Sequence, residues 1–152
     1  MSSTVPDGDR VFLDTNILVY CADNGDPDRQ QLCRQFVHRL RSQHRAVIST
    51  QVLQEFYVVA TRKAGVDSLS AKAICGNLRH MPSVTVTADL IEQAIDCHLS
   101  DQLSFWDALI VVSARSAGCA FLLSEDLNPG QTIRGLRIVE PAGAATLLSL
   151  EE

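Results

Sequence analysis

Several things are missing from this chain of 152 residues, and each absence closes a class of explanation. There is no C-x-x-C pair among the five cysteines, Cys21, Cys33, Cys75, Cys97 and Cys119, and the histidines show no ligand spacing, so nothing points to zinc. An odd number of thiols lying mostly in apolar stretches reads as buried free cysteines in a reducing, cytoplasmic setting. No apolar run approaches the roughly 20 residues of a membrane span. The opening Met1-Ser2-Ser3-Thr4-Val5-Pro6-Asp7-Gly8-Asp9 is polar and lacks the apolar segment of a signal peptide, so a soluble protein with no membrane partner is expected. There is no excess of positive charge either. The net charge is -5, so any nucleic acid must be met by a local basic surface rather than by the whole molecule. No repeat, low-complexity tract or linker divides the chain, and its length suits one domain spanning 1–152 with a core over about 10–139.

What is present is a β-then-α rhythm. Val11-Phe12-Leu13 reads as a short buried strand, followed by a helix opened by Thr15 and Asn16. Pro27 suits the first turn of a helix running to about Gln43. Ala46–Ser49 is a second strand, and the helix from Thr50 stops near Gly65. Helices are expected over Ser68–Leu78, from Ala88 to about Leu99, and from Ser104 to Ala117 with Gly118 closing it. Further strands are expected at Val84–Val86, Ala120–Leu123 and Leu136–Val139, and a short helix after Ala142. This order argues for an α/β fold with a parallel sheet covered by helices on both faces.

Four acids are each expected where a strand hands over to a helix or loop: Asp14 after the first strand, Glu55 one turn into the helix after the second, Asp107 at the start of a late helix, and Asp126 in a late loop. Strand-to-helix hand-overs in an open α/β sheet converge on one crevice. Anions gathered there raise one another's pKa and need a hard divalent cation, Mg²⁺ or Mn²⁺. Each acid also has a structural explanation. Asp14 suits a helix N-cap. Ser104-Phe105-Trp106-Asp107 matches a capping box, and Asp126 before Leu127-Asn128-Pro129-Gly130 suits a turn. Glu55, on the inward stripe of Val52, Phe56 and Val59, is explicable otherwise only by a salt bridge to an Arg.

Taken in order, the segments Phe12-Leu13-Asp14-Thr15-Asn16-Ile17-Leu18, Ser49-Thr50-Gln51-Val52-Leu53-Gln54-Glu55-Phe56, Ser104-Phe105-Trp106-Asp107-Ala108-Leu109-Ile110 and Leu122-Leu123-Ser124-Glu125-Asp126-Leu127 resemble the PIN domain, and within it the VapC-type toxins of toxin–antitoxin pairs. The resemblance covers roughly Arg10 to Val139. It implies a PIN-like α/β/α sandwich with a mainly parallel sheet, and a Mg²⁺-dependent endoribonuclease held in check by a cognate antitoxin, with a homodimer expected. Asp14, Glu55, Asp107 and Asp126 match the family's acidic metal-binding positions. Thr15, Asn16 and Ser124 match the polar helpers around metal and water, Ser124 standing where the family often has Thr. Which of Glu125 and Asp126 faces inward is open, with Asp126 favoured.

Such a site needs a basic approach for RNA. Arg34, His38, Arg41 and Arg45 recur at helical spacing and are expected to share one helix face, gripping phosphates or simply solvated, with Arg62, Lys63 and Arg79 extending it. Trp106 and Tyr57 are expected in the core or an interface rather than as platforms for bases. Two other readings remain. One is an aspartyl-phosphate receiver or phosphatase, disfavoured because no lysine follows Lys72. The other is a PIN-like binding module whose acids only cap helices.

Overall fold

The structure, a computed structural model, describes Pro6 and residues 8–150. Most of the polar amino-terminal stretch read above therefore lies outside the described residues. The chain runs β1 (Val11–Leu13), α1 (Thr15–Ala22), α2 (Pro27–Ser42), β2 (Ala46–Ser49), α3 (Thr50–Arg62), α4 (Ser68–Leu78), β3 (Ser83–Val84), α5 (Ala88–Asp101), α6 (Phe105–Ser116), β4 (Phe121–Leu123), β5 (Thr132–Ile133), β6 (Leu136–Val139) and α7 (Ala144–Leu147).

The strands form one sheet in the order β3-β2-β1-β4-β6-β5, parallel throughout except for β5 against β6. Helices flank it, as the alternation of elements anticipates. β1 and β2 are buried along their whole length, which is why they read as continuous apolar runs rather than alternating ones. The core gathers Phe12, Leu13, Ile48, Phe56, Ile110, Leu122 and Ile138 between the sheet and its helices.

This order positions the site. The chain leaves β1 toward β2 and β3, then returns to place β4 on the other side of β1. The carboxyl ends of β1 and β4 flank that reversal, where doubly wound sheets open a crevice. The pairing Leu13↔Leu123 sets the residues that follow, Asp14 and Ser124, side by side.

The helix boundaries follow their caps. Ser49, Asp67, Thr87 and Ser104 each accept a backbone N–H from the first turn of α3, α4, α5 and α6 respectively. Gly65 and Gly118 take left-handed backbone (φ 69° and 73°) just past α3 and α6, where a β-carbon would be strained. The strand expected over Val84–Val86 is Ser83–Val84 instead, and α5 runs past Leu99 to Asp101. β5 was not anticipated. It is a two-residue strand joined to β6 by Arg134 and Gly135, both at positive φ (51° and 85°), and is too short to show any periodicity.

Arg45 requires a correction. α2 ends at Ser42, and His44 turns the chain through φ 57°, so Arg45 is not on that helix face. It lies buried at the amino edge of the sheet. Its Nε donates to the Asp9 carbonyl (2.7 Å), and one terminal nitrogen donates to the Leu148 carbonyl (2.7 Å) and to Gln43 Oε1 (3.0 Å). Helical spacing was extrapolated one turn beyond the helix.

Candidate metal and nucleic-acid site

Asp14 ends β1 and is the N-cap of α1, its Oδ1 accepting from the Thr15 amide at 2.8 Å. The capping explanation is thus true of one oxygen. The other, Oδ2, accepts from the Ser124 hydroxyl at 2.8 Å and from Asn16 Nδ2 at 3.3 Å. Ser124 is fully buried and also receives the Asp126 amide on its Oγ at 3.1 Å, so one hydroxyl ties β1 to the turn after β4. Asn16 completes the tie, its Oδ1 accepting from the Glu125 amide at 3.0 Å.

Glu55 arrives from the second turn of α3. Its Oε1 accepts from the Thr15 hydroxyl at 2.6 Å and its Oε2 from Gln51 Nε2 at 3.3 Å. No arginine or lysine pairs with it among the described residues, so the salt-bridge explanation does not apply. Asp107 lies in the first turn of α6, entered from α5 rather than from a strand. Ser104 Oγ accepts from its amide at 3.1 Å, the forward half of a capping box. Asp126 stands exposed in the turn after β4, and it is the Ser124 hydroxyl that organises that turn.

All four acids line one open cavity of about 740 Å³, together with Thr15, Asn16, Gln51, Lys63, Trp106 and an apolar wall that includes Val58 and Val59. Within it the Asp14 carboxyl is pushed up to about 6. Burial is the main cause, the bonds from Ser124 and Thr15 oppose it, and the nearby Asp126 and Asp107 charges add to it. Among the described residues no ion pair relieves any of the four.

Among the described residues, no three His, Cys, Asp or Glu side chains gather tightly enough to complete a metal shell by themselves. That spacing suits a hydrated cation. Mg²⁺ loses its waters reluctantly and is commonly held by one or two carboxylates with water filling the rest of its octahedron. The donor set is oxygen throughout, which favours hard ions over zinc or copper. A buried carboxylate facing two other acids with no cation beside it fits such a group.

The neighbouring Glu125 faces elsewhere. Its carboxylate meets Arg29 of α2 at 2.5 Å, and that guanidinium lies 4.9 Å from the Tyr20 ring centroid. Of the two adjacent acids it is therefore Asp126, not Glu125, that borders the cavity.

The α2 cations are placed differently from expectation. Arg34, His38 and Arg41 line a second groove of about 550 Å³ with Leu18, Val37 and Ile74, apart from the acids. Arg34 Nε donates to the Cys21 carbonyl and an Arg41 terminal nitrogen to Asn77 Oδ1. The cation on the rim of the acidic cavity is Lys63, at the end of α3. Trp106 and Tyr57 are not core residues, being 61% and 39% exposed. Gln51 was missed. It is buried, one turn before Glu55, and its Nε2 also donates to the Trp106 carbonyl at 3.1 Å. Its i, i+4 spacing from Glu55 was the available signal.

The cysteines are free as expected, with Cys33, Cys97 and Cys119 buried. Burial pushes the Cys21 and Cys119 thiols up to about 12, leaving them inert. No described helix is long and apolar enough to cross a membrane.

The fold places four carboxylates around one cavity near a switch point, and comparison with known proteins identifies the family to which that fold belongs. The PIN domain family matches residues 11–132, and the chain belongs to it. The receiver and phosphatase alternatives fall away with that membership. Among solved structures it is similar to VapC20 of Mycobacterium tuberculosis, described as a sarcin–ricin loop cleaving toxin, at 26% identity and a TM-score of 0.58, over 74% of this chain and 86% of that one. A toxin–antitoxin complex from Klebsiella pneumoniae (20% identity, TM-score 0.62, 86% and 97% of the two chains) shares the fold. So does VapBC2 from Rickettsia felis, bound to a DNA fragment from its promoter (18%, 0.62, 86% and 97%). A search of curated protein sequences finds no match.

Proposed function

We propose that this PIN domain is a Mg²⁺-dependent endoribonuclease, Mn²⁺ being a possible substitute, and the toxin of a type II toxin–antitoxin pair. The observation that carries the reading is the buried, unpaired Asp14 carboxylate facing Asp107 and Asp126 across the cavity that Glu55 also lines. A merely structural acid at that cap would have no reason to be accompanied by three more.

In this reading Asp14, Glu55, Asp107 and Asp126 hold the metal, directly or through its waters. When bound, Mg²⁺ makes water a stronger nucleophile and stabilises charge on the scissile phosphate. The remaining work belongs to the chain. Ser124 and Asn16 fix one oxygen of Asp14, while Thr15 and Gln51 fix the two oxygens of Glu55, so the carboxylates are oriented before RNA arrives. The apolar wall of Val58 and Val59 limits bulk water on one side. Hydrolysis by water leaves a 5′-phosphate and a 3′-hydroxyl.

The partners follow from the same likeness: structured RNA as substrate, a second copy of the chain, and a cognate antitoxin, as in the complexes named above. An antitoxin peptide carrying a basic side chain would compete with the cation for the acids.

The test is cleavage of structured RNA, including tRNA and a sarcin–ricin hairpin, by the antitoxin-free protein with Mg²⁺ or Mn²⁺. Discrete cuts with 5′-phosphate ends, lost with EDTA and in a folded Asp14→Asn variant, are expected. Cleavage that survives in folded Asp14→Asn removes the metal role from that residue. If no RNA is cut and Mg²⁺ does not raise the melting temperature, the domain is a binding module whose acids cap helices.

A further inference from the structure

Trp106 is the sole tryptophan of the chain and one of its most exposed large apolar residues, at 61%, although the residues just after Asp107 (Ala108, Leu109 and Ile110) are buried. Leaving an indole in water forgoes a large hydrophobic gain. Its place is specific: it precedes Asp107 and lines the cavity of the four acids. It is also held. Its ring meets Phe105 edge-on at 5.0 Å and 77°. Its backbone carbonyl accepts from Gln51 Nε2, the same group that reaches Glu55, so the start of α6 that carries the ring is tied to the metal-side carboxylate.

We propose that the Trp106 indole is the platform on which an unpaired base of the RNA substrate stacks beside the scissile phosphate. This rests on the nuclease reading above. The carboxylates repel phosphate except through a cation, and among the described residues Lys63 is the one basic side chain lining the cavity, so the nucleotide next to the cut gains from a hold besides its backbone. A π-face accepts any base, and a side chain with two torsions loses little entropy in binding. A base inside a duplex is covered on both faces by its neighbours and cannot meet the ring. A base splayed from a loop can.

A sole tryptophan makes the test direct. Stopped-flow mixing with Mg²⁺, read before turnover, should quench the emission with a hairpin RNA that the protein cuts. A blunt duplex of the same composition should leave it unchanged. Trp106→Ala, shown to be folded by circular dichroism, should lose about tenfold in kcat/KM, whereas Trp106→Phe keeps most of it. An abasic nucleotide flanking the cut should impair the wild type similarly and add nothing to Trp106→Ala, a coupling that a merely structural role would not produce.

Wild-type kcat/KM in Trp106→Ala, or in an abasic substrate, overturns the proposal. If Trp106→Ala does not fold, the abasic substrate and the emission decide alone. Emission that changes with protein concentration and not with RNA assigns the ring to a contact between copies instead. Quenching by loop RNA without any cleavage would sink the nuclease reading and leave the platform standing.

Discussion

Among the described residues each edge of the sheet buries one ionic group, and the two are treated oppositely. At the amino edge the Arg45 guanidinium is met by the carbonyls of Asp9 and Leu148 and by Gln43 Oε1. At the carboxyl edge the Asp14 carboxylate has Ser124, Asn16 and the Thr15 amide for hydrogen bonds, yet faces two more acids and forms no ion pair among the described residues. The first arrangement joins three acceptors and locks residues flanking β1 and β2 to the segment after α7. The second leaves charge unbalanced in an open cavity. A buried ion whose bonds tie separate segments together in a closed site belongs to the architecture, and one set among like charges in an open cavity belongs to a ligand.

The largest expected effect tests that contrast on activity. Asp14→Asn, Glu55→Gln and Asp107→Asn should each lower RNA cleavage by about a hundredfold or more while the fold persists, measured by initial rates and circular dichroism. Near-wild-type rates in all three would erase the distinction between the edges.

Arg45→Met is the counterpart. Three acceptors lose their donor, costing about 4 kcal/mol in urea unfolding, with cleavage per folded molecule unchanged. A fall in RNA affinity with no loss of stability would instead return Arg45 to the nucleic-acid surface.

The third prediction concerns pH. The Asp14 pKa is about 6 folded against 3.8 for the ordinary group, so the native state holds its proton more tightly than the unfolded chain. Its contribution to stability is therefore complete below about pH 4 and lost as pH rises through about 6, a loss of up to about 3 kcal/mol without metal. Asp14→Asn should thus melt higher than the wild type at pH 7.5 in EDTA, with the gap closing toward pH 4. Mg²⁺ should restore the wild type and do little for the variant. No pH dependence of the difference would mean that Asp14 is not in conflict when metal-free.

The smallest effect is at Arg29. Removing it frees Glu125 beside Asp126, so Arg29→Ala should lower cleavage about threefold with a stability change under about 1 kcal/mol, the exposure of the pair limiting its worth. Equal rates would show that the turn is held by Ser124 and Asn16 alone.

Much of this was legible in the chain because it is written in local terms. A three-residue apolar run followed by Asp, Thr and Asn describes a buried strand feeding a capped helix, and the Gly after α6 describes its stop. The four acids could be named because motif order survives when contacts are unseen. Where local rules ran out, the errors have physical reasons. Arg45 was placed on α2 by a period of 3.6 that the left-handed His44 interrupts. Trp106 was assigned to the core or an interface by its residue type, and the core half of that reading fails because its exposure depends on what packs around the start of α6. β5 has too few residues to show a pattern and exists because β6 offers it an edge.

The sequence by itself determined the helices, the main strands and which acids stand at their ends, since propensity, capping and apolar periodicity act over a few residues. Only the tertiary structure decided that Asp126 rather than Glu125 borders the cavity, that Gln51 supports Glu55, and that the α2 cations line a different groove. Those outcomes depend on strand order and helix packing, which join residues far apart in the chain, such as Ser124 and Asp14, 110 positions from one another. No window along the chain contains that information.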